Sequence, residues 1–244
     1  MKIMRKFADL HVRLSEPNDK ILTRMRQVAQ DMGITLIGVA MPQTFVASQI
    51  STIRDISAKI GVEVATRVDL VPKDRNHLLS DLRSVRKRFE IVAVTCRSNQ
   101  IATVACRDRR VDLVSFPVNS GHSRFRRSLA RLFREKSLEV DIARLVEPKE
   151  LPRHVVFSRL RDQVSIAKRN RVSIVLSSGA DNPLMLRGPR EIAAIGMQLG
   201  LGDVEALESV SEIPFEIVQR NRAKLSPNHV TIGVKLTKVK KPVG

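Results

Sequence analysis

Apolar residues recur along the chain in two alternating rhythms. Short runs rich in β-branched residues lie at 7–12, 35–41, 63–71, 91–97, 111–117, 138–145, 172–177 and 231–236. Several are apolar without alternation, as in Leu36-Ile37-Gly38-Val39-Ala40 and Ser173-Ile174-Val175-Leu176. Strands of that kind are covered on both faces, as in a parallel sheet. Helical spacing fills the gaps. Residues 19–32 place Ile21, Leu22, Met25, Val28, Ala29 and Met32 on one stripe, after Pro17 and Asn18 and before Gly33, which suits a helix C-cap. The stretch 46–60, followed by Gly61, repeats the design, and 76–89, 124–134 and 153–169 are further helices. The segments 188–199 and 202–224 read as successive helices before the last strand. Eight strands alternating with helices over 244 residues predict an α/β fold, a single closed (β/α) TIM-like barrel with extra helices near the C-terminus. No GxGxxG follows the first strand, which removes the best reason for a Rossmann fold. Residues 1–237 are expected to form the one barrel domain, with 238–244 a solvated basic tail carrying Lys238, Lys240 and Lys241.

Composition adds a partner. The 43 Lys and Arg against 25 Asp and Glu leave a net charge of +18, and the excess is concentrated. Residues 83–171 hold 22 basic and 9 acidic side chains, a net +13, while 1–82 and 172–244 hold only +3 and +2. A block of this kind points to a polyanion. Trp and Tyr are absent and only eight Phe are present, so the base-stacking used by single-strand binders has little to work with. Phosphate and shape contacts to a structured RNA, made by arginine, fit better. No apolar run approaches the roughly 20 residues of a membrane span, and the basic start, Met1 to Lys6, lacks the apolar core of a secretory signal. The expectation is a cytoplasmic protein with no membrane partner. Cys96 and Cys106, ten positions apart, match no zinc spacing and are expected as buried, reduced thiols.

Three short motifs carry candidate chemistry. Phe7-Ala8-Asp9-Leu10-His11-Val12-Arg13 resembles the first motif of the PHP-type metal-dependent phosphoesterases, an Asp-Leu-His-x-His ending strand one. Residues spaced by two point the same way from a strand, but the second histidine is here Arg13, whose guanidinium has no lone pair for a metal. No HxH or HxxxH pair exists among His11, His77, His122, His154 and His229, and the carboxylates of a multinuclear site are not expected to assemble. Asp9, His11 and Arg13 therefore read as a degenerate metal corner, with no metal bound and no catalytic residue. The second motif is the basic entry Arg109-Arg110 to the strand-like Val111-Asp112-Leu113-Val114-Ser115-Phe116-Pro117. The third is Ser177-Ser178-Gly179-Ala180, followed by Arg187-Gly188-Pro189-Arg190-Glu191, small residues and a helix start that could cradle a phosphate on backbone N–H groups. Ser177-Ser178 lacks the frame of a nucleophile elbow.

Together with Arg67-Val68-Asp69-Leu70 and the stretch 214–222, these pieces resemble, in order along nearly the whole chain, the archaeal ribonuclease P protein component 3 family, relatives of the eukaryotic p-thirty-type subunit. The resemblance implies a PHP-like barrel without a complete metal site, in a ribonucleoprotein that removes 5′ leaders from precursor tRNA. It implies that the ribonuclease P RNA carries catalysis with its own Mg²⁺, and that the protein binds no cofactor. Component 2, an RRM-like subunit, and other ribonuclease P proteins are the implied protein partners. The residues expected to contact RNA are Arg97, Arg109, Arg110, Arg124 and Arg127, then Arg67, Arg187 and Arg190, with His122 as an added hydrogen-bonding group. On a helix at 124–134, Arg124, Arg127, Arg131 and Arg134 would share one face. The competing expectations are a PHP-type metal-dependent phosphoesterase with an altered site and a general binder of structured RNA.

Overall fold

Among the described residues, seven of the eight expected strands pair side by side in a single parallel sheet, in chain order. They are β1 (Phe7–Arg13), β2 (Ile34–Met41), β3 (Glu63–Leu70), β4 (Ile91–Thr95), β5 (Leu113–Ser115), β6 (Ser137–Asp141) and β7 (Ile174–Ser177). The computed structural model describes residues 5–13, 19–45, 61–119, 124–148, 150–226, 229–231 and 234–235. The expected helix at 46–60, His122 and the tail 238–244 lie outside them.

Helices α1 (Asp19–Asp31), α2 (Arg75–Val85), α3 (Asn99–Arg107), α4 (Arg127–Ala130), α5 (Ala143–Val146), α6 (Arg153–Arg169), α7 (Pro189–Gln198), α8 (Asp203–Glu208) and α9 (Glu212–Leu225) follow the strands. Their apolar faces bury the outer side of the sheet: Met25 and Ala29 from α1, Leu78 and Leu82 from α2, Leu160 and Val164 from α6. Gly33 ends α1 in the left-handed region, with φ 75°, as its position suggested. Cys96 and Cys106 are buried and free. No helix among the described residues is long and apolar enough to cross a membrane.

The inner side of the sheet has a second core. Ala8, Leu10, Leu36, Ala65, Ile91, Ala93, Leu113 and Val175 point inward and meet Ile217 and Val218 of α9. Helix α9 lies across the N-terminal opening of the barrel. Its Asn221 amide donates to the Glu90 carbonyl at 2.8 Å, and Arg222 donates to the Glu90 carboxylate at 2.6 Å. The opposite end, at the strand C-termini, is left open to surface cavities.

The eighth strand differs from expectation. Residues 229–231 and 234–235 form a separate antiparallel pair. The gap between β7 and β1 is bridged by the segment joining α8 to α9: Leu176 N donates to Ser209 O at 3.1 Å and Ala8 N to Val210 O at 2.9 Å. Past the end of β7, Arg13 N donates to Ala180 O at 2.7 Å. Two local expectations also change. The single turn α4 replaces the helix at 124–134: Arg126, its N-cap, makes no side-chain cap bond, and like charges three and four apart oppose a longer helix. Helix α3 falls inside a region read without one, started by Ser98, whose side chain accepts from Ile101 N.

Candidate nucleic-acid interface and a buried ionic cage

The first site grows from an irregularity in β1. Asp9 pairs with Ile37 and Val12 with Val39, so β1 advances three residues while β2 advances two, a β-bulge. The bulge takes Leu10 and His11 out of the ladder. The freed His11 N–H donates to Asp9 Oδ1 at 3.1 Å, and the freed Leu10 carbonyl turns inward to accept from Arg67 Nη1 at 2.9 Å. Gly38 makes that turn possible, since a Cβ there would lie 2.4 Å from the Leu10 oxygen.

Arg67, on β3, is 1% exposed. Its Nε donates to Asp69 Oδ1 at 2.8 Å, and Nη1 and Nη2 form a fork to the two oxygens of Glu139 on β6 at 2.5 and 2.6 Å. Nη2 also lies 2.7 Å from Asp69 Oδ1, so the guanidinium is held on every side by oxygens. Arg13 Nη2 reaches Asp141 Oδ2 at 2.9 Å and the Gly179 carbonyl at 3.2 Å. His11 Nε2 pairs with Asp69 Oδ2 at 3.1 Å. Burial alone would raise the carboxyls of Asp69 and Glu139, but the Arg67 cation reverses this and holds both below the usual range. Burial and Arg67 press His11 down; Asp69 and Glu139 outweigh them and its pKa is raised. Asp9 moves up, because burial exceeds the effect of hydrogen bonds from Ser178 and His11.

Asp69, Glu139 and Asp141 lie 3.1, 3.9 and 3.7 Å from the His11 ring nitrogens, and Asp9 accepts from the His11 backbone N–H, but among the described residues no group of three or more His, Cys, Asp or Glu is placed to hold a metal ion. The residues present do not fit a metal ion of the PHP kind. Glu139 gives both oxygens to a guanidinium, Asp69 gives its two to Arg67 and His11, and Asp141 accepts from Arg13. Arg67 is corrected as an RNA contact, since it is buried and fully engaged. The Ser177–Ala180 turn is corrected as a phosphate cradle. It is buried, and its Ser178 N and Ala180 N donate to the Asp9 carboxylate and to Ser178 Oγ.

The second site lies on the surface. A cavity of about 770 Å³ opens at the strand C-termini, with Arg13, Arg97 and Arg144 in its wall beside Glu147, Glu150 and Asp181. A neighbouring cavity of about 470 Å³ is lined by Arg124, Arg126, Arg159 and Arg169, against the single acid Asp162. Both use Pro117 and Val118 as wall, so they adjoin. Arg97, Arg124 and Arg126 are exposed. Arg159 is anchored to the Val118 carbonyl.

The other expected residues are dispersed. Arg127 is exposed at the start of α4 but lines neither cavity. Arg109 and Arg110 precede β5, at the opposite end of the barrel, where Arg110 forks onto Asp108 at 2.7 and 2.9 Å. Arg187 donates to the carbonyls of Leu184 and Leu186, and Arg190 is exposed on the first turn of α7. Sequence reasoning missed Arg144, Arg159 and Arg169 as site residues, because they lie far along the chain from Arg97 and Arg124 and meet them only in the fold. It also missed Glu139 and Asp141, whose signal was two acids spaced by two in the otherwise apolar β6.

The family model of RNase P subunit p30 matches residues 6–226. The chain is 32% identical over 178 residues to ribonuclease P protein component 3 of Methanosarcina barkeri, covering 71% of this chain and 73% of that one. It is 25% identical over 234 residues to the same component of Methanococcoides burtonii, covering 95% and 94%. In fold it resembles a chain in the cryo-EM structure of archaeal ribonuclease P with mature tRNA, with a TM-score of 0.81 at 17% identity over 95% of this chain and 99% of that one. With a family model spanning the whole barrel and a relative above 30% identity, the chain belongs to the RNase P subunit p30 family.

Proposed function

We propose that this barrel serves ribonuclease P by docking onto the RNA through the adjoining arginine-lined cavities, supporting RNA-based removal of 5′ leaders from precursor tRNA. The observation that carries this reading is the meeting of Arg97 and Arg144 with Arg124, Arg126, Arg159 and Arg169 around one Pro117–Val118 wall. Guanidinium forks recognise phosphate oxygens bidentately, and cavities at strand C-termini are where (β/α) barrels place their ligands. On this reading the protein's own side chains perform no bond chemistry. The Mg²⁺ that stabilises the leaving and attacking oxygens resides on the RNA partner. The protein component 2 subunit, an RRM-like partner, is assigned to another face.

Reconstitution with the cognate RNA at limiting Mg²⁺ tests the assignment. Reversing Arg97, Arg124 and Arg126 to Glu should lower precursor tRNA cleavage roughly tenfold or more, with recovery at higher Mg²⁺, because lost phosphate contacts weaken assembly rather than chemistry. The same reversal at Arg109 and Arg110 should leave RNA affinity much less affected. Cleavage indifferent to the first set of reversals would refute the RNA role of these cavities.

A further inference from the structure

Oxygens from three strands converge on one point inside the barrel: the Leu10 carbonyl of β1, the Asp69 carboxylate of β3 and both oxygens of Glu139 of β6, all within 2.9 Å of Arg67 nitrogens. A fourth group, the His11 imidazole, borders the same space and has one ring nitrogen without a bond. His11 is 8% exposed, and its Nδ1 is buried without a hydrogen-bond partner. That nitrogen lies 3.7 Å from Asp141 Oδ2 and 3.9 Å from Glu139 Oε1. The buried Glu139, the partly buried Asp69, the His11 imidazole and the Leu10 carbonyl face one another where water is largely excluded and call for a compensating cation, while Asp141 beside them is held by Arg13. The cation present is a guanidinium. Arg13, the substitution that makes the first motif look degenerate, stands at the rim instead, with its side chain 47% exposed.

We infer that Arg67 is the resident cation of this cage and that it, rather than the replacement of a second histidine by Arg13, closes the barrel to metal ions. Remove the guanidinium and the cage becomes a site for a divalent cation of mixed oxygen and nitrogen preference, such as Mn²⁺, with water completing the shell. The inference concerns the barrel interior and stands independently of the RNA reading.

Mn²⁺ alone is the probe, read by electron paramagnetic resonance of the free ion and by thermal melting of the full chain. Wild type and Arg13→His should both leave Mn²⁺ free, since each retains Arg67. Arg67→Ala should bind about one equivalent, and its melting temperature should rise by roughly 5–10 °C at a hundredfold excess over Kd, with no comparable rise in wild type. If Arg67→Ala is insoluble as expressed, it is refolded from urea with Mn²⁺ or with EDTA; recovery with Mn²⁺ alone supports the inference, and recovery in neither or equally in both overturns it. Stoichiometric Mn²⁺ binding by Arg13→His would also overturn it, because a missing ligand would then be the cause. An Arg67→Ala protein that folds and ignores Mn²⁺ would do the same.

Discussion

Glu139 and Asp108 each hold an arginine by two hydrogen bonds, yet their surroundings give them different weights. Glu139 is buried opposite a buried Arg67, whereas the Asp108–Arg110 pair is partly open to water. Removing one partner of a buried pair leaves the other charge uncompensated, at a cost of about 3–5 kcal/mol; an accessible pair contributes about 1 kcal/mol or less. Glu139→Gln should therefore lower the urea midpoint severely and Arg110→Ala only slightly, at unchanged slope. The pH dependence has a definite sign. Asp69 and Glu139 titrate below their ordinary 3.8 and 4.5 when folded. Their contribution is complete above that range and is lost as pH falls through the folded values. His11, raised above 6.5, contributes fully below 6.5 and loses its contribution as pH rises through the folded value. Unfolding free energies measured from pH 3 to 9 should show both limbs. Glu139→Gln should flatten the acid one and His11→Gln the one above 6.5.

Two glycines separate conformational cost from crowding. Gly33 and Gly179 both have positive φ, 75° and 67°. Nothing lies within 4 Å of a Cβ at Gly33, whereas at Gly179 it would sit 2.0 Å from Asp141 Oδ1. Gly33→Ala should cost only the left-handed penalty of about 1–2 kcal/mol. Gly179→Ala should cost clearly more and should also loosen Arg13, which shares Asp141 and the Gly179 carbonyl; thermal melts of the two variants check this. At this scale the sequence was most legible where a segment is almost continuously apolar, as in β2 and β4. It was least legible where the decision is tertiary. Helix α3 is nine residues long, too short for its periodicity to stand out. The closing position of the barrel is filled by two backbone carbonyls of Ser209 and Val210, which have no side-chain pattern to read. The ionic cage was half legible: Asp9, His11 and Arg13 form a motif, but Asp69, Glu139 and Asp141 become its partners only when β3 and β6 close around β1.

At the scale of the molecule, the sequence located the charge but not its sides. Residues 83–171 carry +13 of the net +18, and the fold divides that block between the two ends of the barrel, because successive arginine clusters fall alternately after and before strands. Arg97 follows β4, Arg109 and Arg110 precede β5, and Arg124 and Arg126 follow it. A charge total cannot distinguish these ends; the salt dependence of binding can. Each phosphate contact releases condensed counterions and contributes about 0.7–0.9 to the slope of log affinity against log salt concentration. Neutralising Arg124 and Arg126 to Gln should thus reduce the slope for the cognate RNA by about 1.4–1.8. The same neutralisation at Arg109 and Arg110 removes equal charge but should leave the slope nearly unchanged. Filter binding between 50 and 400 mM salt (about one decade) resolves a difference of that size. Equal slope losses from the two pairs would mean that the RNA responds to the net field of the whole barrel, and the adjoining cavities would then have no special claim as its docking site.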